Sequence, residues 1–144
     1  MSGGIETAER IVNAPAETIF AVLADPARHK DIDGSGTVKG TRDSAPARLS
    51  LGATFGMDMK MGAPYKITNT VVEFEEGRRI AWRHFGGHVW RYVLEPQADG
   101  TTKVTEQFDW TTSKSKIGLI LMGAPKRNKK AMVATLDRLA TLLG

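Results

Sequence analysis

The sequence predicts an α+β fold: a curved antiparallel sheet of about seven strands wrapped around a long C-terminal helix, with two short helices after the first strand. Three observations predict it. Between Thr37 and Thr111 most segments alternate apolar and polar residues with period two and are joined by short turns, so neighbouring strands run antiparallel. After Pro125, Met132, Leu136, Leu139 and Leu143 form one helical stripe. Near the N-terminus, Ala16, Ile19, Phe20 and Leu23 recur at helical spacing.

Taken in order, Ile5 to Val12 reads as a first strand. Ala14-Pro15-Ala16-Glu17 opens a helix, with Pro15 expected at its first helical position and Glu17 in its first turn. Asp25-Pro26 ends that helix, because the proline ring disfavours helical geometry in the residue before it. Ala27 to Asp33 follows as a second short helix before the loop Gly34-Ser35-Gly36. Thr37 to Thr41 is a short strand, and Ala53 to Met61 alternates Phe55, Met57, Met59 and Met61 against Gly56, Asp58 and Lys60. Tyr65 to Phe74 is rich in β-branched residues and turns at Glu75-Glu76-Gly77. In Lys103 to Thr111, Val104, Glu106, Phe108 and Trp110 alternate against Thr105, Gln107 and Asp109. The last helix runs to about Leu143. No repeat or linker divides residues 1–144, so one domain is expected.

The hairpin Arg78 to Leu94 carries the most information. Ile80, Trp82 and His84 share a face of the first strand, and His88, Trp90, Tyr92 and Leu94 share a face of the second. Both sets lie on one side of the sheet only if the connecting loop has odd length. The three residues Phe85-Gly86-Gly87 fit, because such loops need a left-handed position that glycine adopts without strain. Extended to the next strand, that register aligns Ile80–Tyr92–Glu106, Trp82–Trp90–Phe108 and His84–His88–Trp110. Arg79, Ala81, Arg83, Val89, Arg91 and Val93 fall on the other face.

Composition narrows the chemistry. With no cysteine, disulfides, thiolate metal ligation and thiol catalysis are excluded. Met1 to Glu6 lacks the regions of a signal peptide, and the longest markedly apolar run, Ile117 to Ala124, is eight residues. The expectation is therefore a cytoplasmic protein without a membrane span. Net charge is +4, yet Lys114, Lys116, Lys126, Arg127, Lys129 and Lys130 form a basic segment with no acidic residue between 114 and 130. No nucleic-acid motif accompanies it, so no nucleic-acid partner is expected.

Three stretches carry a resemblance: Ile11 to Asp25, Val72 to Arg83, and Tyr92-Val-Leu-Glu-Pro96 with Thr102 to Phe108. With the terminal helix they resemble the START-related helix-grip superfamily (SRPBCC), particularly its bacterial polyketide cyclase/dehydrase-like branch. The resemblance implies a sheet gripping the last helix around a pocket for an apolar or aromatic ligand. It supplies no shared catalytic motif and implies no cofactor. Where many relatives carry an aromatic residue after the first helix, this chain has His29-Lys30-Asp31-Ile32.

Phe55, Met57, Met59, Trp82, Trp90, Phe108 and Trp110, faced by Met132 and Leu136, are the candidate ligand-binding wall; the alternative is plain core. His84 and His88 are candidates for ligand hydrogen bonding or proton exchange; the alternative is a half-exposed hairpin tip. Two imidazoles fall short of a zinc site and the register offers Trp110 rather than a third ligand, so no metal is expected. Glu106 beside Tyr92 is an acid–base pair, a buried pair that fixes register, or a glutamate near the rim reaching water. Ser113 to Gly123 is either a gate over a pocket mouth or an ordinary packed connection.

Three functions follow. One is a carrier or sensor that binds a small apolar, aromatic or polyketide/lipid-like ligand. Another is a cyclase or dehydratase using Tyr92, Glu106, His84 and His88 for proton transfer. The third is a protein- or membrane-surface module acting through the basic segment 114–130. A monomer or weak homodimer is expected.

Overall fold

The computed structural model describes residues 5–32, 38–41, 48–61, 63–84, 87–111 and 124–143, with the backbone alone at 38–41, 57–61, 63–67 and 124–127. The described residues form seven strands, β1 (Ile5–Val12), β2 (Val38–Thr41), β3 (Thr54–Met61), β4 (Ala63–Glu75), β5 (Arg79–His84), β6 (Val89–Pro96) and β7 (Thr102–Asp109). They form one antiparallel sheet in the order β1-β7-β6-β5-β4-β3-β2. The strand after each turn pairs with the one before it, as short connections require. Only β1 leaves its sequence neighbour, crossing to pair with β7.

Between β1 and β2 lie α1 (Ala16–Leu23), a 3-10 turn (Pro26–Arg28) and α2 (His29–Ile32). Pro15 is the N-cap of α1 rather than its first helical residue: its ψ of 152° is extended, and its carbonyl accepts the first helical bonds from Thr18 and Ile19. Proline has no N–H to lose there, so either position suits it. Asp25 ends α1 as expected, and its carboxylate accepts the Ala27 amide at 3.0 Å. Ala16, Ile19, Phe20 and Leu23 are buried, joined by Val22.

The long helix α3 (Ala124–Leu143) packs over β1 and β7 and also meets α1 and α2. Met132, Leu136 and Leu139 are buried and Leu143 packs at the margin of the core, so the predicted stripe faces the sheet. Arg10 pairs with Asp137, and the Lys129 ammonium donates to the Thr7 carbonyl, tying α3 to the outer edge of β1.

A bulge in β4 controls which residues enter the core. Val71 pairs with Trp82 and Phe74 with Ile80, so three steps on β4 answer two on β5. Without the extra residue, Glu73 would point inward and Phe74 outward. With it, Phe74 reaches the inner face and meets Phe20 edge-on at 5.4 Å, while Glu73 joins the outer face.

There Glu73, Ala81, Arg91 and Gln107 form one cross-strand row. Arg91 donates to both oxygens of Glu73 (3.0 and 2.7 Å), to Gln107 at 3.0 Å and to Asp109 at 3.3 Å. The small Ala81 lets the guanidinium span β5, so one side chain links β4, β6 and β7. Hydrogen bonds from Arg91 hold the Glu73 carboxyl below the usual range. At Asp109, burial opposes ionisation, but bonds from Thr111 and Arg91 outweigh it and the pKa is lowered. The outer face is therefore not simply solvated, because Ala81 and Val89 are buried there.

Replacing Arg91 by Met is expected to lower stability by about 1–3 kcal/mol, the range for charge-assisted hydrogen bonds. A urea-unfolding midpoint and slope unchanged from wild type would contradict this role.

Candidate functional site

The inner face of β4 to β7 is built from three rows. Ile80 faces Tyr92, which faces Glu106. Trp82 faces Trp90, which faces Phe108. One step further, Asn69 faces His84, the His84 amide bonds the His88 carbonyl at 2.9 Å, and the pairing of Val89 with Asp109 sets His88 beside Trp110. Gly87, the last residue of the expected loop, behaves as such a loop requires. Gly87 has φ of 95°, and its amide donates to the His84 carbonyl at 2.9 Å. Phe85 and Gly86 lie outside the described residues.

The first two rows are largely closed. Ile80, Trp82, Tyr92, Glu106 and Phe108 are buried, as are Phe55, Met132 and Leu136 of the same core cluster. Phe55 meets Trp82 edge-on at 5.5 Å, and Tyr92 lies 5.7 Å from Trp82. His29 takes up an aromatic role in the core. Its ring stacks on Trp82 at 5.0 Å, meets Phe55 edge-on at 5.7 Å, and its Nε2 is 2.8 Å from the Leu23 carbonyl. The Tyr92 hydroxyl donates to Glu106 Oε2 at 3.0 Å. Both partners are buried against apolar neighbours, the arrangement of a pair that holds β6 and β7 in register.

The third row is different. His84, His88 and Trp110 are half-buried, and so is Trp90 beside them. The two imidazoles stack nearly parallel, 4.5 Å apart at 14°, and His88 meets Phe108 at 5.2 Å. Stacked rings place their nitrogens side by side rather than aiming them at one point. Among the described residues no three His, Asp or Glu side chains converge as a metal-ligand set. Burial lowers the pKa of His84, and burial with the neighbouring His84 charge lowers that of His88 to about 4. Both rings are therefore neutral near pH 7. Asn69, only 2% exposed, stands at the head of this row. Its Oδ1, the Nδ1 of His88 and the Nε1 of Trp110 are shielded from water and have no hydrogen-bond partner among the described residues.

The structure thus brings Phe55, Trp82, Trp90, Tyr92, Glu106, Phe108, Met132 and Leu136 together in or against the core, with His84, His88 and Trp110 at its hairpin end. Met57 and Met59 pair with Ile67 and Tyr65 on the backbone, and their side chains lie outside what is described. So do the gate Ser113 to Gly123 and most of the basic segment 114–130, of which Lys129 and Lys130 are exposed. Asn69 and His29 were not among the predicted site residues. A groove of about 520 Å³ also lies away from the rows, between β1 and α3, lined by Thr7 to Arg10 and by Lys129, Val133, Leu136 and Asp137. Charged side chains bridge it, including the Arg10–Asp137 pair.

Residues 6–144 match the family described as polyketide cyclase / dehydrase and lipid transport. The chain belongs to that family. It is 40% identical over 134 residues to the uncharacterized protein Rv0088 of Mycobacterium tuberculosis, covering 90% of this chain and 59% of that protein. The chain thus spans less than two thirds of the relative's length. Among solved structures, the AHSA1-like protein of Aeromonas hydrophila superposes with a TM-score of 0.70 at 18% identity, covering 95% of this chain and 90% of that one. The Aha1 dimer of Colwellia psychrerythraea gives 0.66 at 13% identity, covering 96% and 95%. At such identities these likenesses establish the helix-grip fold alone. Among the described residues no helix is long and apolar enough to cross a membrane.

The lowered pKa of His88 gives the row a signature in acid. An unfolded chain protonates His88 near pH ~6.5, whereas the folded protein does so at about 4. Between those values the unfolded state binds more protons, so stability falls as pH drops through the window. Glu73 and Asp109, with lowered pKa values, act only further into acid. His88→Phe should therefore reduce the loss of unfolding free energy between about pH 7 and pH 5. Equal losses in variant and wild type would contradict it.

Proposed function

We propose that this protein binds a small, flat, apolar ligand, aromatic or polyketide/lipid-like, on the inner sheet face at the β5–β6 hairpin end, as a carrier or sensor. One observation carries the reading. Burial along the inner face is graded, with Trp82 and Phe108 closed while Trp90, Trp110 and the His84–His88 stack stay half-buried. Aromatic rings that pack at one edge and stay open at the other suit a site that accepts a further ring. Membership of a cyclase/dehydrase and lipid transport family supports the same ligand class.

Carriage is favoured over turnover. A cyclase or dehydratase needs groups that exchange protons near the working pH. The Tyr92–Glu106 pair is enclosed, and both histidines have lowered pKa values.

Titration with 2-naphthol and related flat aromatics, followed by tryptophan fluorescence, is expected to give saturable quenching at one site, with the compound recovered unchanged. Trp90→Leu should weaken binding by about three- to tenfold, the value of an aromatic contact. No saturable response to aromatic, polyketide or fatty-acid ligands would overturn the reading. Conversion of the compound, abolished in Glu106→Gln, would favour the enzyme instead.

A further inference from the structure

We infer that Asn69, His88 and Trp110 form a polar strip that reads oxygen functions on the ligand, selecting a hydroxylated or oxo-bearing flat molecule over its hydrocarbon counterpart. The inference rests on the inner-face binding proposed above and assigns the specificity of that site.

The strip follows from register. Asn69 on β4, His84 on β5, His88 just before β6 and Trp110 just after β7 occupy one cross-strand row on the inner face. Strands lie about 4.8 Å apart, so three steps separate Asn69 from Trp110 by roughly 14 Å, and His88 lies one step from Trp110. Each end of the row holds a polar atom that no described residue pairs with: Asn69 Oδ1 and Trp110 Nε1, with His88 Nδ1 between them. Shielded polar atoms without partners are rare in folded proteins, because each forfeits its hydration for nothing. Three along one row form a pattern rather than scattered defects.

The chemistry of these atoms specifies what would complete them. A carboxamide oxygen accepts, so it needs an O–H or N–H. An indole N–H only donates, so it needs an oxygen or nitrogen lone pair. A neutral imidazole nitrogen serves either purpose according to its tautomer, and the lowered pKa of His88 keeps that ring neutral near pH 7. The complement is an elongated molecule lying across the strands with a hydroxyl towards β4 and a carbonyl or hydroxyl towards β7. Its flat surface would rest against the His84–His88 stack and Trp90. A site holding unused hydrogen-bonding groups rejects analogues that cannot pair with them far more strongly than an apolar wall rejects added oxygen.

The test uses two naphthalenes of nearly equal shape, 2,6-dihydroxynaphthalene and 2,6-dimethylnaphthalene, with wild type, Asn69→Leu and Trp110→Phe. Each substitution should weaken diol binding by about tenfold, one hydrogen bond's worth, and leave the dimethyl compound within about threefold. Asn69→Leu, which removes a buried amide without a full set of partners, should hold or raise the urea-unfolding midpoint. The inference is overturned if diol affinity is indifferent to both substitutions, or if both compounds weaken equally, which would mark simple packing. A lowered midpoint in Asn69→Leu would mark a structural asparagine and overturn it too. Binding of the dimethyl compound to wild type in those cases leaves the inner-face reading standing. Failure of both compounds to bind wild type overturns the two readings together.

Discussion

Because side chains alternate strictly along a strand, a sheet gripping a helix has one workable register, and any slip by one residue would turn its core face to water. Two local devices hold that register here. The Phe85-Gly86-Gly87 connection has odd length, with Gly87 in the left-handed conformation, so β5 and β6 present Trp82 and Trp90 to the same side. The bulge of β4 corrects the parity on the opposite flank, bringing Phe74 in and turning Glu73 out. Everything placed on either face follows from these two choices. Arg91 gains its carboxylate on the outer side, and the apolar stripe of α3 joins the buried core on the inner one.

That surface is uniform neither in burial nor in chemistry. Near the helix stripe of Met132, Leu136 and Leu139 it is closed, and the Tyr92–Glu106 hydrogen bond sits inside as a connection between strands. Towards the β5–β6 hairpin it becomes half-buried, aromatic and polar. On the proposed reading, a fold that seals one end of its inner face and leaves shielded polar atoms at the other trades some stability for recognition. Low histidine pKa values belong to the same economy of burial: neutral imidazoles stack and hydrogen-bond without bringing charge into an apolar site.

Much of this was legible in the residues. The β5–β6–β7 rows follow from counting by twos from the hairpin, and the α3 stripe from counting by threes and fours, because both periodicities are set by backbone geometry. The same counting hid Asn69. Phe74 and Asn69 are five positions apart, which in a regular strand puts them on opposite faces; the bulge puts both inside. Nothing in the β-branched run around Val71 and Val72 betrays that extra residue. His29 could not be placed from the sequence, since a lone histidine after a turn has no period to place it, and its stacking on Trp82 is a purely tertiary fact. The β1–α3 groove was equally hidden, because it arises where two elements distant in sequence meet.

The central claim is that ligand recognition belongs to the hairpin end of the inner face. The three indole N–H resonances report on it separately, since Trp82 is closed within the core while Trp90 and Trp110 flank the half-buried end. In a ¹H–¹⁵N spectrum recorded during addition of 2,6-dihydroxynaphthalene, the Trp90 and Trp110 indole signals should move together and saturate, with Trp82 moving least. Saturating shifts confined to Val133, Asp137 and the β1 amides, with all three indoles still, would place recognition in the β1–α3 groove and contradict the account.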